Sequence, residues 1–212
     1  MSTAPARKRL RAAPRGSSGR VLVLVAHPAM HRSRVNRALT TSILDLEGVT
    51  THDLYDAYPD FDIDVGREQE LLLAHDVVVW QWPFFWYSTP SLLKEWQDMV
   101  LEFNWAYGPL GKKLHGKVFL PVVSTGGPMT AYQPTGSNRF TIRQLLAPVE
   151  QTVHLCGMTF LPPFVSHGAH RLDPDGIGER ARRYREVLVA LRDGAVPLDR
   201  AATAERIDEV SP

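Results

Sequence analysis

The sequence predicts a doubly wound α/β fold: a five-stranded parallel sheet of order 2-1-3-4-5 with helices on both faces. Three observations carry this. Strand-like and helix-like segments alternate as βαβαβαβαβα, which argues for parallel strands joined by helical crossovers. The clearest strand candidates are unbroken aliphatic runs, the pattern of strands buried on both faces. Five strands in 212 residues, without an internal repeat or a linker, suit this order better than a six-stranded dinucleotide-binding sheet.

The first strand is Arg20 to Ala26, ended by His27-Pro28. Ser33 is a good N-cap for a helix over 34–45, whose Val35, Leu39, Ile43 and Leu44 share a side. Val49 to Leu54 alternates weakly as a second strand. Tyr55 to Val65 reads as a loop and Gly66 to His75 as a short helix. Asp76 to Trp82 is the third strand, stopped by Pro83. Pro90 suits the first position of a helix over 91–102, with Thr89 as its cap. Lys117 to Ser124 is the fourth strand, weakened by Pro121. A helix over 140–155 and a fifth strand over 159–165, interrupted by Pro162-Pro163, follow. Asp173 to Leu191 is a charged amphipathic helix.

Composition narrows the function. The net charge of +1 hides an asymmetry, because residues 1–20 hold six basic side chains and no acid. The remaining 18 basic and 23 acidic residues make the body a poor nucleic-acid binder. The expected organisation is a disordered basic arm over 1–19, one domain over 20–192 and a loose tail over 193–212. One cysteine excludes an internal disulfide, and the histidines show no metal-ligand spacing, so no metal is expected. The N-terminus lacks an apolar segment of secretory type, so a cytoplasmic protein is expected.

In such sheets ligands bind beyond the carboxyl ends of the strands where strand order reverses. That directs attention to residues 27–36, 83–90 and 124–138. The first loop lacks both glycine-rich nucleotide fingerprints, yet it opens a helix and offers His27, Ser33, Arg34 and Asn36. Free amides at a helix start favour a phosphate, and one terminal phosphate suits so short a loop. The plainer reading is that Ser33 only caps the helix. In the second loop Trp86 and Tyr87 lie beyond a strand end and offer flat apolar walls to a planar ring. A core aromatic cluster is the alternative. In the third loop Gly126-Gly127 permits close backbone approach, and Tyr132 can stack or donate. His154 and Cys156, at the end of an apolar helix, read as structural rather than nucleophilic.

Several spaced motifs in one order then carry a family resemblance over about residues 20–192. They are Val25-Ala26-His27-Pro28 with Ser33 and Asn36, Trp80-Gln81-Trp82-Pro83 with Trp86-Tyr87-Ser88, Trp105-Ala106-Tyr107-Gly108, and Ser124-Thr125-Gly126-Gly127. The chain resembles the flavodoxin-like NAD(P)H:quinone oxidoreductases, with the KefF-type ancillary flavoproteins of glutathione-gated potassium efflux systems as the most similar subgroup. The resemblance implies a flavodoxin-like three-layer sandwich and a homodimer holding FMN, or alternatively FAD. NADPH or NADH would give hydride to flavin N5, from which a quinone would take it. His27, Ser33, Arg34, Val35 and Asn36 would hold the flavin phosphate. Pro83, Phe84, Phe85 and Trp86 would line the isoalloxazine, and Ser124, Thr125, Gly126 and Gly127 would cover its pyrimidine edge. Gly126, Gly127 and Tyr132 would steady charge developing there, and Trp105, Tyr107 and Tyr132 would meet the substrate. A histidine that partners the tyrosine in mammalian relatives is unmatched, its place being taken by Asn138. The resemblance leaves a second reading, a flavin-binding ancillary subunit docked on a membrane transporter, peripheral to the inner face of the plasma membrane. A non-flavin binding module is the third.

Overall fold

The computed structural model describes residues 19–201 and 204–211. The basic arm expected over 1–19 lies almost wholly outside them. Six strands form one parallel sheet: β1 (Val21–Val25), β2 (Val49–Asp53), β3 (Val77–Pro83), β4 (Val118–Ser124), β5 (Thr159–Phe160) and β6 (Phe164–Ser166). Their order is β2-β1-β3-β4-β5, and β6 also pairs with β4. The expected order 2-1-3-4-5 is present, with the fifth strand split in two.

The split has a local cause. Val118 pairs with Thr159, but Val122 pairs with Phe164, so the register slips by one residue across Leu161-Pro162-Pro163. That is a bulge, where prolines cost least because ladder bonds are already missing. It also explains Pro121 inside a central strand. The odd-numbered residues of β4 bond towards β5 and β6, as Leu161 N to Phe119 O and Thr125 N to Ser166 O show. The amide that Pro121 lacks therefore faces the bulge, where no ladder bond is lost.

Strand residues alternate between two cores. Val21, Val23, Val25, Val79 and Val122 pack under α1 (Arg34–Thr41) and the long helix Pro174–Arg192. Leu22, Leu24, Trp80, Trp82 and Phe119 pack on the opposite face. That face is covered by α2 (Leu54–Ala57), α3 (Val65–Ala74), α4 (Ser91–Val100), α5 (Ile142–Leu145) and α6 (Ala147–Leu155). The result is the three-layer sandwich expected, with Pro174–Arg192 as α7 and Leu198–Ala201 as α8.

Four local expectations are corrected. α1 ends at Thr41 rather than residue 45. The loop over 55–65 opens with a helical turn, because the Asp53 side chain accepts from Tyr55 N and caps it. Pro90, with ψ at 155°, is the cap of α4 rather than its first residue. The helix over 140–155 breaks at Leu146, just before Pro148, which has no amide to continue the ladder. The segment after α7 is not loose either. Val196, Ala201 and Ile207 are buried in the α1–α7 core, and Ile207 N donates to Pro163 O at the bulge.

Candidate functional site at the carboxyl edge of the sheet

β1, β3 and β4 deliver three loops to one edge of the sheet. Asn36 knits the first loop to the third. Its Nδ2 donates to Ser33 Oγ at 3.2 Å and to Ser124 Oγ at 2.8 Å. Ser33 Oγ also accepts Asn36 N, capping α1. A hydroxyl has one proton. Both serine oxygens are already acceptors, so both protons are left to point elsewhere. The amides of Arg34 and Val35, the orphan donors of the α1 start, have no partner among the described residues. Gln81 braces this corner from β3, donating to Asn36 O at 3.0 Å and Thr40 Oγ1 at 2.9 Å.

His27 adds another donor. Its Nδ1 accepts Ala29 N at 3.0 Å, so in the neutral ring the proton sits on Nε2. Burial lowers its pKa, which keeps it neutral at physiological pH. The arrangement gathers hydroxyl, imidazole and amide donors around one helix start, the chemistry that suits a phosphate.

Several first-loop residues differ from expectation. Asn36 and Val35 are each 2% exposed, the Asn36 side chain being turned to the two serines and the Val35 side chain to the core. The Arg34 side chain lines a groove of about 550 Å³ between α1 and α7, with Arg37, Thr41 and Pro174.

In the second loop Pro83 is still part of β3, paired with Ser124. Phe84 is buried in the core, its amide bonded to Ser124 O at 2.9 Å. Neither side chain forms a wall. The exposed aromatics are Phe85, Trp86 and Tyr87, with Trp86 92% exposed. Trp86 (φ 49°) and Tyr87 (φ 62°) both occupy the left-handed region, uncommon for bulky residues and costing of order 1–3 kcal/mol each. Trp82 Nε1 holds the turn through Ser88 O at 3.1 Å. The Phe85 ring meets His27 edge-on at 6.1 Å.

In the third loop neither Gly126 N–H nor Gly127 N–H has a partner among the described residues. A Cβ on Gly127 would sit 3.2 Å from the Tyr132 ring, so the glycine lets the two pack. Burial raises the Tyr132 pKa above its usual value near 10, and the side chains of Thr125 and Asn138 face its hydroxyl. It is therefore a protonated donor at neutral pH. Tyr87 donates to Asn138 Oδ1 at 3.2 Å, linking the second and third loops.

Tyr87, expected as a flat wall, also joins the network through its hydroxyl. One group escaped sequence reasoning. His167, just after β6, packs against Tyr132 at 5.7 Å between ring centroids. The carboxyl-edge rule extends to the loop of the last strand, but strand reversal had drawn attention to those of the first, third and fourth. Trp105 and Tyr107 lie half-buried after α4, packed against the core cluster that includes Phe84 and Tyr132, and Asn104 N donates to Tyr107 O and Lys113 N to Trp105 O. Cys156 is buried and its thiol is pushed up to about 11, as a structural residue would be. Among the described residues no His/Cys/Asp/Glu group is placed to hold a metal.

The comparisons agree with this geometry. A family model described as "Flavodoxin-like fold" matches residues 19–188. The chain is 46% identical over 165 residues to an uncharacterized NAD(P)H oxidoreductase, YdeQ, of Bacillus subtilis, covering 78% of this chain and 84% of that one. It is 45% identical over 171 residues to the potassium-efflux ancillary protein KefG of Pectobacterium carotovorum, covering 81% and 93%. Among solved structures, general stress protein 14 of Treponema denticola in complex with FMN is 37% identical, with TM-score 0.75 over 81% of this chain and 99% of that one. An NADPH-quinone reductase of P. pentosaceus is 34% identical, with TM-score 0.72 over 79% and 96%. The chain belongs to this flavodoxin-like family.

Proposed function

We propose that the protein is an FMN-dependent NAD(P)H:quinone oxidoreductase that works as a homodimer. One observation carries the reading: unpaired donors converge on the reversal edge of the sheet from two sides. On one side are the amides of Arg34 and Val35 with the proton-bearing hydroxyls of Ser33 and Ser124. On the other are the amides of Gly126 and Gly127. A phosphate suits the first group and the polar edge of a flat ring suits the second. The exposed aromatic turn 85–87 lies between them in sequence. The residues present therefore fit FMN, whose single phosphate needs no second clamp. The relatives support the same chemistry, being an NAD(P)H oxidoreductase, an FMN complex and a quinone reductase.

Bound FMN would supply a two-electron carrier that accepts hydride and passes it on. The chain's own part is positioning and electrostatics. Ser33, Ser124, His27 Nε2 and the α1 amides would anchor the phosphate. Gly126 and Gly127 N–H, with the protonated Tyr132 hydroxyl, would face the ring edge where negative charge develops. Removing one preorganised donor of this kind typically costs ~10²–10³ in rate. Trp86 and Tyr87 would exclude water from one side. The dimer follows from the family reading, and the exposed Phe103 and Leu110 beside Trp105 and Tyr107 offer apolar surface to a second copy.

The KefG relative favours a second reading, an ancillary subunit of a potassium-efflux transporter. Among the described residues no helix is long and apolar enough to cross a membrane, so such an association would be peripheral. One experiment separates the readings. The purified protein is loaded with FMN and given NADPH or NADH anaerobically, then a benzoquinone. Bleaching followed by recovery is expected. Bound flavin that neither nicotinamide bleaches would leave the ancillary role, and failure to bind flavin would refute both.

A further inference from the structure

His167 stands where three constraints meet. Thr125 Oγ1 lies 2.9 Å from Gly127 O and 3.3 Å from His167 Nδ1. A carbonyl oxygen only accepts, so the single Thr125 proton goes to Gly127 O. Thr125 Oγ1 must then accept from His167, which fixes the neutral imidazole as the Nδ1–H tautomer. Burial, aided by Arg206 and Arg180, pushes the His167 pKa down to about 4, so the ring is neutral at physiological pH. Its other neighbours are Tyr132 and a cavity of about 410 Å³ lined by Met129, Glu205, Arg206 and Glu209.

The segment carrying His167 also fixes the backbone of the glycine turn. Thr125 O accepts Ala169 N at 2.8 Å, and Gly127 O accepts Gly168 N at 2.9 Å. In a trans peptide the N–H points opposite to the C=O. Holding Thr125 O against Ala169 therefore turns Gly126 N–H away from the 166–169 segment. The peptides on either side of the Gly126–Gly127 link are thus both clamped, and Gly127 O receives a second bond from the Thr125 hydroxyl that His167 orients.

We infer that His167 is a positioning residue: its Nδ1–H sets Thr125 to clamp Gly127, and its ring seats Tyr132, so that the donors of this loop hold a fixed aim. The inference rests on the flavin reading for what the donors face, but not for the tautomer or the clamp. It places a histidine beside Tyr132 from the last strand of the sheet, although position 138 is Asn.

Two measurements test it. The first is the ring-nitrogen chemical shifts of His167 in the protein without added flavin at neutral pH. Nδ1 protonated and Nε2 bare is expected; the Nε2–H tautomer overturns the inference whatever flavin does. The second compares three substitutions in FMN-loaded protein of wild-type fold. An Asn amide nitrogen falls near Nδ1 and a Gln amide nitrogen near Nε2. His167→Asn is expected to recover most of the rate of reduction by NADPH, while His167→Gln and His167→Ala lose roughly 10²-fold, the effect of misplacing donors by about 1 Å. Equal rates for Asn, Gln and Ala would overturn it. A wild-type protein that binds no flavin would defeat the functional reading alone and leave the tautomer result standing.

Discussion

Replacing Asn36 by Asp inverts one hydrogen-bond polarity and should remove most of the affinity for FMN. Asn36 Nδ2 gives one proton each to Ser33 Oγ and Ser124 Oγ, which frees both serine protons for an anion. An aspartate has none to give. Both hydroxyls would turn inward to the carboxylate, withdrawing two donors from the phosphate. Hydrogen bonds to a charged group contribute about 1.5–3 kcal/mol each, so the loss is about 3–6 kcal/mol, or ~10²–10⁴ in Kd. Repulsion between the new carboxylate and the phosphate adds to this. Asn36→Leu removes the bias without reversing it, and should cost about 1 kcal/mol per bond. The assay is a titration of apo-protein with FMN by fluorescence quenching, with thermal melts to confirm the fold. Lowering the pH should partly rescue the Asp variant, because a protonated carboxyl regains one donor. A Kd within threefold of wild type would refute the assignment of both protons.

Trp86→Gly should change apo-protein stability by less than about 1 kcal/mol in urea, because the lost side chain is 92% exposed and its left-handed backbone suits glycine. FMN affinity should fall by at least about tenfold, since a stacking wall contributes of order 1–3 kcal/mol. Glu68 is fully buried and accepts from His52, Tyr58 and Trp96, each at 2.7 Å. Burial alone would raise its pKa, but these three bonds outweigh it and hold it below the usual 4.5. Its contribution is therefore full above the unfolded value and lost as pH falls through the lower folded one. Glu68→Gln should cost about 3–5 kcal/mol at pH 7, because it leaves a donor mispaired, and should flatten the acid limb of the stability curve. Native Cys156 should resist a disulfide reagent at pH 8 and react only on unfolding; fast stoichiometric labelling would show the thiol to be open.

What the sequence made legible follows from what periodicity encodes. Unbroken runs at 21–26 and 77–82 marked strands buried on both sides, and their position between helices fixed sheet order. The strand-end rule then located the three loops without any fingerprint motif. Side-chain direction was not encoded in the same way. Phe84 and Trp86 are both apolar and two residues apart, yet one is core and the other bare, and the chain is left-handed at Trp86 and Tyr87. Asn36 was singled out, but its bonding to Ser124 was not legible, since it joins residues 88 positions apart. His167 was missed because the strand before it is short and broken by prolines, so its carboxyl end was indistinct.

The bulge at Leu161–Pro163 has a consequence for how the molecule behaves at high concentration. β5 and β6 form the last strand of the sheet, and an unpaired outer strand invites pairing with a second chain. Here Ile207 takes the Pro163 carbonyl. Arg143 binds Ala204 O, and Arg180 binds Asp208, fastening the segment across it. The family match ends at residue 188, so this cover is built from chain beyond the shared domain. Trimming the protein back to the matched region would uncover the border and turn a well-behaved sheet into a template for aggregation.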